Sequence, residues 1–139
     1  MKHRRYLLTD QDRQRITGVL LAELTADPTV AFAYLFGSIF EVDTVHDVDV
    51  GIYLDPFEAT QQVEIAASLA QRLTDAAGLS IDVRVLNQAP VPFLYRAIRG
   101  HLLVSKNDTL LTSTLEHVSR RYLDMAPLLL QATKEAFAA

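Results

Sequence analysis

Two carboxylates separated by one residue open an apolar run, and no other feature of the sequence is so well suited to chemistry. Asp47 and Asp49 alternate with Val48, and the run that follows them predicts a β-strand. Side chains alternate between the faces of a strand, so both carboxylates are expected on one face. Two like charges at this spacing repel unless a cation lies between them, and Mg²⁺ prefers such oxygen ligands. The sequence therefore predicts a Mg²⁺ site at the start of this strand.

A glycine and a serine close the preceding apolar run, which spans residues 30–36. Gly37 lacks a side chain, so the backbone amides around it can approach a phosphate group closely. The Ser38 hydroxyl can donate a hydrogen bond to a phosphate oxygen. We therefore expect Gly37 and Ser38 to bind the phosphates of a nucleotide.

A third carboxylate lies on the polar side of a later strand, residues 80–86. The alternation there turns apolar residues inward and Asp82 and Arg84 outward. Three carboxylates around two metal ions can activate an attacking hydroxyl and stabilise a pyrophosphate leaving group. Asp82 is the candidate to take the proton of that hydroxyl, and Arg84 can pair with a carboxylate or reach a phosphate. An isolated Asp-x-Asp motif usually lies on a solvent-exposed strand, and an isolated Gly-Ser pair usually forms a turn. The combination of Gly37-Ser38 with Asp47, Asp49 and Asp82 predicts nucleotidyl transfer.

These residues need a scaffold, and the sequence carries signals for helices around the strands. Thr9 or Asp10 is expected to cap a helix that ends near Ala26. A second helix is expected to begin with Asp55 as its cap, with Glu58 completing a capping box, and to end at Gly78. Later elements are a short helix from about Pro90 to Gly100, an edge strand at 101–105, and a long helix capped by Asn107 or Asp108 and interrupted or kinked near Pro127. The predicted fold is α+β, a small mixed sheet with helices packed on one face, in a single domain over residues 1–139.

Composition excludes several classes of function. The 139 residues include no cysteine, which rules out disulfides and thiolate metal sites. The net charge of −4 is unlike that of a protein that binds nucleic acid directly through its charge. No apolar run is long enough to cross a bilayer, and we expect a soluble, cytoplasmic protein with no membrane contact.

The motifs together resemble those of a known superfamily. Phe36-Gly37-Ser38, Asp47-Val48-Asp49 and Asp82 resemble the minimal nucleotidyltransferases of the DNA polymerase β superfamily. Within it, the chain looks like the MntA-type antitoxins of HEPN/MNT toxin–antitoxin pairs. The resemblance implies a nucleotidyltransferase fold that uses Mg²⁺ and ATP, with the three aspartates as metal ligands and catalytic residues. It also implies transfer of AMP to a tyrosine of a partner HEPN ribonuclease, which silences that toxin.

The loop after the glycine and serine departs from the pattern of that superfamily. It spans Ile39 to His46, eight residues, which is shorter than usual, and the usual Arg-Gly pair is replaced by Ile39-Phe40-Glu41. Two hypotheses therefore stay open: an adenylyltransferase antitoxin, and an antitoxin that neutralises its toxin by binding alone. A small-molecule nucleotidyltransferase is disfavoured by the short chain, and a polymerase by the acidic charge.

Overall fold

The computed structural model describes residues 6–37, 44–45 and 48–137. Eleven elements follow one another along this part of the chain. They are β1 (Tyr6–Leu7), α1 (Asp10–Ala26), β2 (Val30–Phe36), β3 (Thr44–Val45), β4 (Val48–Leu54), a 3₁₀ turn (Ala59–Gln61), α2 (Gln62–Ala77), β5 (Ile81–Val85), α3 (Val91–Ile98), β6 (His101–Ser105) and α4 (Asp108–Phe137).

A mixed four-stranded sheet organises these elements in the order β5-β4-β2-β6. The β4 and β5 strands are parallel, whereas β2 is antiparallel to both β4 and β6. A parallel pair needs a long crossover between its strands, and α2 provides it. This topology brings the start of β4, the start of β5 and the end of β2 to one end of the sheet.

The first face of the sheet is covered by α1 and α2, as the sequence predicts. Ile16, Leu20 and Leu24 of α1 are completely buried, and so are Leu69 and Leu73 of α2. They pack on an aliphatic strand surface that includes Val48, Val50, Ile52 and Leu54 of β4. Val19 of α1 is only half-buried.

The opposite face is aromatic and carries the other two helices. Phe32, Tyr34 and Phe36 of β2 are buried there against Ala97 of α3 and Leu111 of α4. The predicted α+β class and mixed sheet are confirmed, but the prediction that the helices pack on one face holds only for α1 and α2. The structure adds α3 and the start of α4 on the second face. All seven residues of β2 are buried because both faces are covered.

Several predicted helix ends are confirmed by their hydrogen bonds. The Thr9 hydroxyl accepts from the Asp12 backbone N–H at 3.0 Å, and the Asp12 carboxylate accepts from the Thr9 backbone N–H at 2.9 Å. Gly78 ends α2 with a φ of +80°, a conformation that favours glycine. The Asn107 side chain accepts from the Leu110 N–H at 3.0 Å, which makes Asn107 the cap of α4.

One prediction about the helices is wrong, and one alternative of a second prediction is excluded. The second helix begins at Gln62 rather than beside Asp55. The Asp55 N–H still donates to the Thr29 carbonyl oxygen at 3.1 Å, and Phe57 packs against the core, so the chain stays non-helical there. The α4 helix is not interrupted at Pro127, since it continues from Asp108 to Phe137 with this proline inside it. The alternative, a kink near Pro127, stays a prediction. In the described ranges, none of the helices combines the length and apolarity needed to cross a membrane.

Candidate active site

Asp49 and Asp82 lie side by side at the same end of the sheet. Each is the second residue of its strand, and the two are register partners in the parallel pair of β4 and β5. Neighbouring strands are about 4.8 Å apart, and partners in register point to the same face. The structure therefore brings together two of the carboxylates that the sequence singled out, although 33 residues separate them in the chain.

Gly37 lies directly against the Asp49 carboxylate. Its neighbour Phe36 is the register partner of Asp49 across the antiparallel pair of β2 and β4. A Cβ atom built on Gly37 would be 2.5 Å from the Asp49 Oδ2 atom, and the φ angle of Gly37 is +92°. Both facts require glycine at this position, because a side chain would be strained and would displace the carboxylate.

Asp82 has a cationic neighbour on its own strand. The Arg84 Nε donates to the Asp82 Oδ2 at 3.1 Å, so the predicted pairing of Arg84 with a carboxylate is confirmed. The Asp82 side chain is 43% exposed and the Arg84 side chain is 60% exposed. The ion pair is open to water, so it orients Asp82 without burying it.

Ser38 and Asp47 lie outside the described residues. Their expected roles, in phosphate contact and metal binding, stay predictions. Among the residues that the structure does describe, no three histidine or acidic side chains come together to hold a metal ion. Asp49 and Asp82 nevertheless present carboxylate oxygens on one face, which is the donor type that Mg²⁺ prefers.

An arginine that the sequence analysis did not single out lies at the rim of this site. The Arg96 Cζ atom is 5.8 Å from the centre of the Phe36 ring. The short helix that carries Arg96 was predicted, but its path over the aromatic face was not. Helical periodicity indicates which residues share a side of a helix, but it does not indicate which part of the sheet that helix covers.

Two neighbouring arginines of α4, Arg120 and Arg121, lie apart from Asp49 and Asp82. Arg120 pairs with Glu116 one turn earlier, and the Tyr122 ring stacks on Tyr95 with ring centres 3.7 Å apart. Arg121 instead lines a cavity of about 500 Å³ between α4 and the turn that follows β5. Neither of these arginines contacts Asp49 or Asp82.

Comparison with known proteins bears on the fold and the family. The chain is similar to a chain in the solved complex of a tri-AMPylated Shewanella oneidensis HEPN toxin with MNT antitoxin. Sequence identity is 19%, the match covers 93% of this chain and 94% of that chain, and the TM-score is 0.54. A toxin–antitoxin structure with AMP-PNP matches at 15% identity, covering 84% and 98% of the two chains with a TM-score of 0.60. A structure of the toxin–antitoxin MntA-HepT matches at 18% identity, covering 92% and 94%, with a TM-score of 0.53.

These identities are low, so the structural likeness shows the fold. No curated protein matches the sequence. The model of the family described as "Polymerase beta, Nucleotidyltransferase" matches residues 20–109, a segment that includes β2, β4, β5 and both described aspartates. This segment is well over half of the chain. The chain therefore belongs to the polymerase β nucleotidyltransferase family.

Proposed function

We propose that this protein is an antitoxin that transfers AMP from Mg-ATP to a tyrosine of a cognate HEPN ribonuclease and so neutralises it. The observation that carries the proposal is the register of Asp49 with Asp82 beside Gly37, in a chain of the nucleotidyltransferase family. The partner is supported by the likeness to structures of HEPN toxin with MNT antitoxin, and ATP by the structure with AMP-PNP.

The reaction forms one bond and breaks one bond at the α-phosphorus of ATP. The tyrosine oxygen attacks this phosphorus, the bond to the bridging oxygen of the β-phosphate breaks, and pyrophosphate leaves. The phenolic proton passes to the Asp82 carboxylate and from there to water, and Arg84 holds that carboxylate in place. Asp47, Asp49 and Asp82 would hold Mg²⁺, which when bound stabilises the charge that develops on the phosphate oxygens. Gly37 and Ser38 would contact the phosphates.

In this proposal one minimal domain, residues 1–139, carries the whole activity. The sheet joins β2, β4 and β5 in a single layer, so the proposed ligands need no second domain to assemble them. A cytoplasmic location is part of the proposal, because the reaction needs ATP and contact with the ribonuclease partner.

One observation favours a second candidate, neutralisation by binding alone. Residues 37–46 include Glu41 and Asp43 but no lysine or arginine. A triphosphate carries several negative charges, and carboxylates near it oppose its binding. An antitoxin with this loop could inhibit its toxin by occupying it, without modifying it.

Labelling of the partner distinguishes these two functions. The purified protein is incubated with Mg²⁺, ATP labelled at the α-phosphate, and the HEPN protein encoded beside it. Asp47→Asn/Asp49→Asn and Asp82→Asn remove the proposed ligands, and Asp75→Asn is the matched control. Asp75 lies on α2, where its carboxylate accepts a hydrogen bond from Gln71 at 2.9 Å, on an exposed part of that helix.

We expect label on the partner with the wild type and with Asp75→Asn, and none with the other two variants. Label that persists at the wild-type rate in Asp82→Asn would contradict the assigned role of this residue. A stable complex with an inhibited but unlabelled toxin, unchanged in all variants, would establish the binding function instead.

A further inference from the structure

Arg96 brings a positive charge to the rim of the proposed site. It lies in the last turn of α3, with its Cζ atom 5.8 Å from the centre of the Phe36 ring. Phe36 immediately precedes Gly37 and is the register partner of Asp49. The guanidinium therefore lies on the same face of the sheet as the proposed metal-binding carboxylate, one side chain away from it.

The core fixes α3 in this position. The Phe93 ring meets the Phe36 ring edge-on, with the ring centres 5.7 Å apart. Just after the helix, Gly100 packs so closely on β2 that a Cβ atom there would be 2.8 Å from the Phe36 Cβ. Both contacts hold the C-terminal half of α3 against the end of β2, so the location of Arg96 does not depend on a surface side chain alone.

Two carboxylates, those of Asp49 and Asp82, lie at this site, and a triphosphate would add further negative charge. The loop after Gly37 contributes no lysine or arginine, and Asp49 and Asp82 add two carboxylates. Arg84 is already paired with Asp82. Over the described ranges, Arg96 forms no ion pair, and the residue is exposed to solvent. An arginine remains charged at any physiological pH and can bind phosphate with two parallel hydrogen bonds.

We propose that Arg96 binds the phosphates of the nucleoside triphosphate that leave as pyrophosphate, and so supplies the cation that the loop lacks. This inference rests on the proposed function, because it takes Asp49 and Asp82 as the centre of the reaction. It assigns α3 a direct part in binding substrate, in addition to its part in the aromatic core.

Direct binding measurements test this inference apart from any transfer activity. Titration calorimetry in the presence of Mg²⁺ measures the affinity for three ligands: a non-hydrolysable ATP analogue, inorganic pyrophosphate and AMP. Each ligand is tested with the wild type, Arg96→Ala, Arg96→Lys and Arg99→Ala. Arg99 is the matched control because it lies on the same helix turn with its Cζ atom 5.5 Å from the centre of the Tyr95 ring, another arginine–aromatic contact. Circular dichroism confirms that each variant is folded.

We expect Arg96→Ala to weaken binding of the ATP analogue and of pyrophosphate by about tenfold to a hundredfold, the scale of a lost charge-assisted hydrogen bond. AMP binding should change by less than about twofold, and Arg96→Lys should be intermediate because it retains the charge without the paired geometry. Arg99→Ala should match the wild type.

Each outcome separates this inference from the proposed function. Equal weakening in Arg96→Ala and Arg99→Ala, or pyrophosphate binding that is unchanged in Arg96→Ala, would overturn the inference even if the wild type labels its partner. Pyrophosphate binding that requires Arg96 in a protein that labels nothing would support the inference while the proposed transfer fails. A wild type that binds neither the analogue nor pyrophosphate overturns both.

Discussion

Asp27 is surrounded by hydrogen-bond donors from its own chain, whereas Asp49 and Asp82 lie beside each other. Asp27 follows the last residue of α1, and its side chain is only 8% exposed. One of its carboxylate oxygens accepts from the Thr29 N–H at 2.9 Å and from the Thr29 hydroxyl at 2.6 Å, and the other forms an ion pair with Arg72. Lys106 donates to its backbone carbonyl oxygen. This carboxylate therefore needs no ligand from outside.

The surroundings of each carboxylate distinguish Asp27, which has a structural role, from Asp49 and Asp82, which are candidate catalytic residues. Burial acts to raise the pKa of Asp27, but the hydrogen bonds from Thr29 and the ion pair with Arg72 outweigh it and lower that pKa below its ordinary value. At the other site, two carboxylates on adjacent strands share one face and are open to solvent on the Asp82 side. Like charges on one face repel each other, and in the proposed function a bound cation would offset that repulsion.

The largest expected effect comes from Asp49→Asn. We expect AMP transfer to fall by more than about a thousandfold, because a metal ligand contributes several kcal/mol to stabilisation of the transition state. The midpoint of urea unfolding should stay unchanged or rise, since one of two adjacent like charges is removed. A variant that unfolds at clearly lower urea concentration would mean that Asp49, like Asp27, has a structural role.

Asp27→Asn should have the opposite effect, a loss of stability without a loss of transfer activity. The change leaves Arg72 without its partner and weakens the bonds from Thr29, so the free energy of unfolding should fall by about 2 kcal/mol. Urea denaturation followed by circular dichroism measures this loss. Transfer activity per folded molecule should be unchanged at a temperature where the variant is fully folded, and a specific loss of activity would break the proposed separation of roles.

Two glycines with positive φ angles sharpen the comparison further. Gly37→Ala and Gly78→Ala should each lower stability by about 1 kcal/mol, since alanine disfavours that conformation. A Cβ atom on Gly78 would meet open space, whereas one on Gly37 would clash with the Asp49 carboxylate. We therefore expect an additional loss of transfer, about tenfold or more, in Gly37→Ala only. Equal activity of the two variants would argue against a role for Asp49 in its observed position.

The smallest expected effect is the dependence of the free energy of unfolding on pH in the acid range. Because the pKa of Asp27 is lowered in the folded protein, the stability that this group contributes is complete above its ordinary value of 3.8. That contribution is lost as the pH falls below 3.8 and through the folded value. Between pH 5 and pH 3 the wild type should therefore lose more unfolding free energy than Asp27→Asn. Parallel pH profiles for the two proteins would contradict this assignment.

Much of the fold was predictable from local patterns. The continuous apolar run of β2, the alternation in β4 and β5, and the caps at Thr9 and Gly78 depend on neighbours close in sequence, and the structure agrees with them. The start of α2 was mispredicted because Asp55 and Glu58 carry a local capping pattern. Tertiary contacts outweigh that pattern, since the Asp55 N–H bonds to Thr29 on another strand and Phe57 packs in the core.

The sequence by itself determined the chemistry available to this protein: three aspartates, a glycine and serine after a buried strand, and an acidic loop without a lysine or arginine. Only the tertiary structure decided that Asp82 is in register with Asp49, that the Asp49 carboxylate packs over Gly37, and that α3 carries Arg96 to the same face. The physical reason is that strand order, register and the path of a helix over a sheet depend on contacts between residues far apart in the chain. Periodicity along the sequence carries information about side-chain direction but not about those distant contacts.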